Sequence, residues 1–391
     1  MALVALVAGA RLARRRLSGP GPGPVRGHWT AAGRSRSRRE AAEAEAEVPV
    51  FQYVGERAAR ADRVFVWGFS FSGALGVPSF VVPSSGPGPR AGARPRRRIQ
   101  PVPYRLELDQ KISSAACGYG FTQLSSKTVD VTKVWGMGLN KDSQLGFHRS
   151  RKDKTRGYEY VLEPSPVSLP LDRPQETRVL QVSCGRAHSL VLTDREGGEL
   201  TYWRVVENEI YSESHRVHRM QDFDGQVVQV REMGRELLVL FLGLSRDCTI
   251  VNVPRCLHFS GVGKVRQAAC GGTGCAVLNG EGHVFVWGYG ILGKGPNLVE
   301  SAVPEMIPPT LFGLTRFNPE IQVSRIRCGL SHFAALTNKG ELFVWGKNIR
   351  GCLGIGRLED QYFPWRVTMP GEPVDVACGV DHMVTLAKSF I

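Results

Sequence analysis

The dipeptide Cys-Gly, followed 17 to 19 residues later by Trp, recurs along this chain and constrains its architecture more than any other feature. Cys117 precedes Trp135, Cys184 precedes Trp203, Cys270 precedes Trp287 and Cys328 precedes Trp345. This short interval is nearly constant, whereas the interval from each Trp to the next Cys varies widely. The pattern reads as a compact two-stranded unit repeated between loops of differing length.

The residues between the markers read as strands. Cys328 to Thr337 is apolar, ends in the turn Asn338-Lys339-Gly340 and leads into Leu342-Phe343-Val344-Trp345-Gly346. Cys270 to Leu278, then Asn279-Gly280-Glu281-Gly282, then Val284 to Gly288 follow the same plan. Short β-branched and aromatic runs joined by Gly/Asn turns are hairpin signals. A second glycine cluster follows several Trp-Gly pairs: Gly73–Gly76, Gln144-Leu145-Gly146 and Gly351–Gly354. Val64–Gly68 lacks a preceding Cys-Gly strand, and Cys378–Leu386 lacks a following Trp-Gly strand. The two half-repeats are expected to complete one another, closing the sheet edges that each would expose alone.

The repeat resembles that of the regulator-of-chromosome-condensation family. That family's pattern is Trp-Gly-x-Asn-x-x-Gly-Gln-Leu-Gly, a strand, then Cys-Gly-x-x-His-Ser-Leu-Ala-Leu-Thr. Trp345–Gly354 matches the first half with Cys352 in place of Gln, and Cys184–Thr193 matches the second closely. The resemblance covers roughly residue 61 to the C-terminus with a gap in the middle. It implies an all-β fold, a β-propeller of seven blades, of which about five repeats are recognisable here. Trp203 lacks its Gly, and Arg231–Glu236 stands where Cys-Gly-x-x-His is due. Residues 231–256 are therefore expected to be the atypical, least ordered part of a shortened or altered repeat array.

Charge is unevenly spread. The chain carries a formal +14, yet residues 1–39 hold nine arginines and no acid, leaving +5 for the rest. An Arg- and Ala-rich, acid-free leader with scattered serines has the composition of a mitochondrial transit peptide; a basic nucleic-acid-binding arm is the competing reading. Residues 1–40 are read as the transit peptide, 41–60 as an acidic, Ala-rich linker and 61–391 as repeats. No run approaches about 18 apolar residues, so no transmembrane helix is expected. With this leader the chain looks most like a mitochondrial member of the family.

Cys117, Cys184, Cys270, Cys328 and Cys378 share one repeat position, which argues for packing and not for ligation. His188, His332 and His382 each follow such a cysteine by four residues. Each Cys/His pair supplies two ligands where structural zinc needs four, so these histidines are expected to bond the neighbouring blade's backbone. Gly288-Tyr289-Gly290-Ile291-Leu292-Gly293 spells a dinucleotide fingerprint, but Lys294-Gly295-Pro296 opposes the helix that such a site requires. No catalytic, cofactor or metal constellation is expected.

Two loops are the candidate contact surfaces, because propeller loops present binding groups while strands build scaffold. One carries Arg94, Arg96, Arg97 and Arg98; the other carries Arg149, Arg151, Lys152, Lys154, Arg156, Tyr158 and Tyr160. Basic residues beside aromatics can hold phosphates and stack bases, face an acidic protein patch, or simply solvate a loop. The resemblance implies regulation of a GTPase by guanine-nucleotide exchange. A mitochondrial, dynamin-like GTPase of inner-membrane fusion would be the client, with peripheral association to that membrane. The alternative is an interaction platform for mitochondrial ribosomal RNA and ribosome-assembly proteins.

Overall fold

A computed structural model describes residues 63–70, 72–80, 99–141, 144–146, 160–169, 171, 173–186, 189–194, 202–203, 217–218 and 261–389. The expected transit peptide 1–40, the linker 41–60 and the atypical segment 231–256 lie outside the described residues. In chain order the strands are β1 (Arg63–Phe69), β2 (Ile99–Leu106), β3 (Ser114–Cys117), β4 (Phe121–Ser125), β5 (Val134–Leu139), β6 (Tyr160–Val167) and β7 (Arg178–Cys184). There follow β8 (Ser189–Asp194), β9 (Tyr202–Trp203), β10 (Val217–His218), β11 (Val265–Cys270), β12 (Gly274–Asn279), β13 (Val284–Tyr289) and β14 (Glu300–Met306). The last six are β15 (Val323–Cys328), β16 (His332–Thr337), β17 (Leu342–Gly346), β18 (Gln361–Arg366), β19 (Glu372–Cys378) and β20 (His382–Lys388). The only helices among the described residues are short 3-10 turns at Pro78–Phe80 and Pro309–Phe312.

The strands form antiparallel blades. Blade A is β19-β20-β1-β2, blade B is β3 to β6, blade D is β11 to β14 and blade E is β15 to β18, each with four strands. Blade C is represented by β7 and β8, and β9 pairs with β10 in a separate small sheet. The expected closure is present. β1 pairs with β20 from Arg63↔Ala387 to Gly68↔His382, so strands from the two ends of the described chain share blade A.

Blades meet through their innermost strands in the order D, E, A, B, C. Apolar side chains fill the space between consecutive blades. Val64, Val66 and Leu386 of blade A meet Cys117, Leu124 and Met137 of blade B. Phe65, Trp67 and Met383 meet Ala334, Val344 and Leu353 of blade E. Equivalent clusters join D to E and B to C. Blades E, A and B thus bury both faces, which suits the near-continuous apolar runs of their middle strands. Polar groups bridge the inner strands as well. Gln267 of β11 bonds the backbone of Ile326, and Arg327 of β15 reaches both Asp375 and the Val376 carbonyl of β19.

The outer strand of every four-stranded blade contains proline: Pro101 and Pro103 in β2, Pro164 and Pro166 in β6, Pro304 in β14, Pro364 in β18. Proline removes a ladder donor, so these exposed edges resist pairing with another chain.

Candidate functional site

Chain direction sorts the loops between the two ends of the blades. The Cys-Gly turns and the connections from third to fourth strand lie at one end, called here the upper face. The turns between second and third strands, and the blade-to-blade connections, lie at the other.

A ring of backbone hydrogen bonds runs around the centre of the upper face. In blades D, E, A and B the N–H of the residue after Cys-Gly donates to the next blade. Leu330 donates to Gly379 O, Val380 to Gly118 O and Tyr119 to Gly185 O, at 3.3, 3.4 and 3.1 Å. Gly272 donates to Leu330 O at 2.9 Å. A Cβ on Gly118 would stand 2.6 Å from Gly185 O, and one on Gly329 would stand 2.5 Å from Gly379 O. Glycine is therefore required because the neighbouring blade's carbonyl occupies the space of a side chain. The cysteine beside it is a buried spacer: Cys117 Sγ donates to Ala377 O and Cys184 Sγ to Ala116 O of the preceding blade. Burial pushes the Cys184 thiol up to about 12 and the Cys117 and Cys378 thiols still higher, so all three stay protonated.

The histidines pack over these glycines. His382 Nε2 lies 2.9 Å from the Thr122 hydroxyl of blade B. That hydroxyl donates to Ala74 O, so it is left to accept from the imidazole. Burial pulls His382 down to about 3 and His332 down to about 4. His332 Nε2 has no hydrogen-bond partner among the described residues, because Met383 occupies the place that Thr122 fills beside His382. The expected cross-blade bond is thus present for His382, but it goes to the Thr122 side chain where a backbone partner was expected. His188 lies outside the described residues. Among the described residues no three His, Cys, Asp or Glu side chains converge as metal ligands.

Strand register corrects one marker. Gly68 pairs with His382, Gly288 with Gly274, Gly346 with His332 and Gly138 with Phe121. Blade B therefore places Met137-Gly138, and not Trp135-Gly136, at the Trp-Gly position. Gly68, Gly138, Gly288 and Gly346 share φ of 106°, 106°, 107° and 118°, which L side chains rarely adopt. The following N–H of each donates inward, as Leu139 does to Gly120 O at 2.8 Å. Asn140 and Asn348 then accept from Leu145 and Leu353 N–H, pinning the glycine clusters. The glycines after β13 belong to this device. A Cβ at Gly293 would meet Trp345 Nε1 at 2.7 Å, and no helix follows.

Around this ring the upper face presents Tyr119, Leu330, Tyr289 and Ile349, the last 74% exposed. Arg186 lies 5.6 Å over the Tyr119 ring, and Arg350 lies over Phe69 while pairing with Asp381. Of the sequence-predicted contacts, Arg94, Arg96, Arg97, Arg98, Arg149, Arg151, Lys152, Lys154, Arg156 and Tyr158 lie outside the described residues. Tyr160 opens β6 and is 40% exposed. The flanks of both basic loops are described. One loop joins β1 to β2 and the other β5 to β6, equivalent connections in adjacent blades, so both leave from the upper face.

The profile described as regulator of chromosome condensation (RCC1) repeat matches residues 133–192 and 339–386, and a second profile of the same description matches 323–352. A human protein named RCC1-like G exchanging factor-like protein is 78% identical, covering 100% of both chains. This chain belongs to the RCC1 family. The mouse protein of the same name is 72% identical over 97% of this chain and 99% of its own. The human alignment runs over 467 positions against the 391 residues here, so that relative contains sequence this chain lacks. The crystal structure of human WBSCR16 superposes with a TM-score of 0.73 at 72% identity, covering 85% of this chain and 100% of that one. Yeast RCC1 (Prp20), solved bound to Kap60, gives 0.58 at 16% identity over 88% and 96%, a likeness of fold alone.

Sequence reasoning missed the upper-face ring of Tyr119, Arg186 and Leu330. The signal was present, since all three directly follow Cys-Gly. At Tyr119 and Leu330 the N–H is committed to the next blade, which leaves the side chain free to vary.

Proposed function

We propose that this chain regulates a GTPase by promoting guanine-nucleotide exchange, using the upper face as its contact surface. The observation that carries this reading is the 78% identity, over the whole of both chains, to the human RCC1-like G exchanging factor-like protein. Exchange makes and breaks no covalent bond. It needs a surface that binds the nucleotide-free GTPase better than the loaded one. A propeller whose inner turns are tied blade to blade is suited to that task, because little ordering entropy is lost when a partner docks. Tyr119 and Arg186 are of the residue types that dominate binding energy at protein interfaces, and Leu330 adds exposed apolar surface on the same face.

The client we propose is a dynamin-like fusion GTPase, met inside mitochondria at the inner membrane. The acid-free, Arg-rich leader supports the location. A fluorescent fusion of the full chain should enter mitochondria and lose its leader before about residue 60; a fusion held in the cytosol or nucleus would refute the location. The exchange reading is tested by release of labelled GDP from such a GTPase. The chain should accelerate release, and Arg186→Glu should abolish the acceleration without lowering thermal stability. Unaltered release with folded protein would refute it. The two basic loops, which leave adjacent blades on one face, favour a second reading as a platform for ribosomal RNA and ribosome assembly. That reading requires RNA binding that weakens steeply with salt.

A further inference from the structure

The residue facing the cysteine of Cys-Gly across the first hairpin differs in every blade. Thr122 faces Cys117, Ser189 faces Cys184, Phe333 faces Cys328 and Met383 faces Cys378. In blade D the facing residue is Cys275, opposite Cys270. The side chains at this pair meet: the Thr122 and Ser189 oxygens each lie 3.9 Å from the opposing sulfur. Gly271 N–H donates to Gly274 O at 2.6 Å and closes the turn, so the adjoining Cys270–Cys275 pair is the narrow kind that makes no ladder bonds. Such pairs hold their Cα atoms about 4.5 Å apart, inside the range of about 4.4 to 6.8 Å that a disulfide spans.

The environment sets this pair apart. Cys117, Cys184 and Cys352 are buried and Cys270, Cys275, Cys328 and Cys378 partly so, but among these Cys270 and Cys275 alone face one another across a strand pair. Both pack against Val262, Val277, Phe285 and Trp287. A hydrogen bond with Cys270 draws the Cys275 thiol below its ordinary value, the reverse of the upward push on Cys117, Cys184 and Cys378. More thiolate means faster attack on a disulfide.

We propose that Cys270 and Cys275 form a dithiol modification site, oxidised by a small disulfide of the glutathione class to an intrachain disulfide across the β11–β12 turn. The Cys275 thiolate, having released its proton to solvent, attacks one sulfur of the reagent and expels the other as a thiolate. Cys270, deprotonated in turn, attacks the Cys275 sulfur and expels the second half of the reagent. Two protein thiols are oxidised and one disulfide is reduced to two thiols. The bridge would clamp Gly271–Gly274, whose Gly272 N–H bonds Leu330 O in blade E. Oxidation would therefore stiffen the mouth of the upper face on its D–E side.

The test uses the full chain, equilibrated with oxidised glutathione, alkylated in the folded state and analysed by peptide mass spectrometry. Cys270 and Cys275 should appear linked to each other and unalkylated, and reduced glutathione should reverse the link. Cys117, Cys184 and Cys352 should carry neither a link nor glutathione. Cys275→Thr, the choice made opposite Cys117, should keep the wild-type melting temperature and lose the link. Cys328→Ser should retain it. The proposal is overturned if both thiols are alkylated after equilibration. It is equally overturned by a glutathione adduct that never closes, or by a link from Cys270 to another cysteine.

Discussion

Blades B and E set different side chains on matching backbones. Phe121 in one occupies the position of His332 in the other, and Met137 occupies that of Trp345. The glycines do not change: Gly118 matches Gly329 and Gly138 matches Gly346. Where a side chain packs against a neighbouring blade, the neighbour can be recut to suit it. Where a backbone carbonyl stands in the way, nothing can be recut. The architecture of this propeller is thus written in its glycines, and the aromatic and histidine markers are one of several fillings.

The sharpest way to break that comparison is to remove the strand joining the two ends of the described chain. Deleting residues from Cys378 onward takes away β20, which lies between β19 and β1. Two apolar edges in blade A would be left unpaired, and the protein should aggregate. Light scattering of the purified truncation measures this; a soluble, cooperatively melting product would mean that blade A is dispensable.

The next effect in size separates two glycines of one strand. Gly138→Ala forces a side chain onto φ of +106° and against Gly120 O at 2.5 Å, which should cost about 3 kcal/mol. Gly136→Ala meets the movable Leu145 side chain at 3.0 Å and should cost about 1 kcal/mol. Chemical denaturation of both variants decides the register of blade B. If Gly136→Ala were the more damaging, Trp135 and not Met137 would be the structural marker.

That register also explains how far the sequence could be read. The hairpin plan, the closure of β1 on β20 and the packing role of the cysteines were all legible, because spacing and composition express them directly. Trp135-Gly136-Met137-Gly138 offers two alternative dipeptides, and spacing alone favoured the one containing Trp. Strand pairing, with Gly138 opposite Phe121, and the positive φ of Gly138 tell them apart. The upper-face contacts were illegible for a related reason. Tyr119, Arg186, Gly272, Leu330 and Val380 share a position but no chemistry, and a pattern search ignores positions that vary. The dinucleotide-like glycines were legible as turns, since Lys294-Gly295-Pro296 already opposed a helix.

A smaller effect distinguishes the two described histidines of the repeat. His382→Phe loses the bond to Thr122 and leaves that hydroxyl one partner short, at a cost of about 1 kcal/mol. His332→Phe loses no bond, since Nε2 has no partner among the described residues, and it adopts the solution already present at Phe121. It should leave stability at pH 7 unchanged or slightly raised. Equal losses in the two variants would mean that His332 is anchored as firmly as His382.

The finest distinction lies in the dependence on pH. An imidazole ordinarily titrates near 6.5, whereas burial holds His332 near 4 and His382 near 3. As pH falls below 6.5 the unfolded chain takes up protons that the folded chain refuses. Stability tied to these groups is therefore complete above pH 6.5 and declines as pH falls, levelling off near 4 for His332 and near 3 for His382. Each pH unit in that window costs about 1.4 kcal/mol per histidine. Carboxylates also titrate there, but they are common to the wild type and to His332→Phe and cancel in the difference. Urea denaturation across pH 4 to 6.5 should give His332→Phe a shallower slope than wild type by about one proton. His382→Phe should show the same flattening, continuing to lower pH. If the slopes of wild type and His332→Phe coincided, the His332 imidazole would be exchanging protons with solvent in the folded state, and its place at the buried centre of blade E would have to be given up.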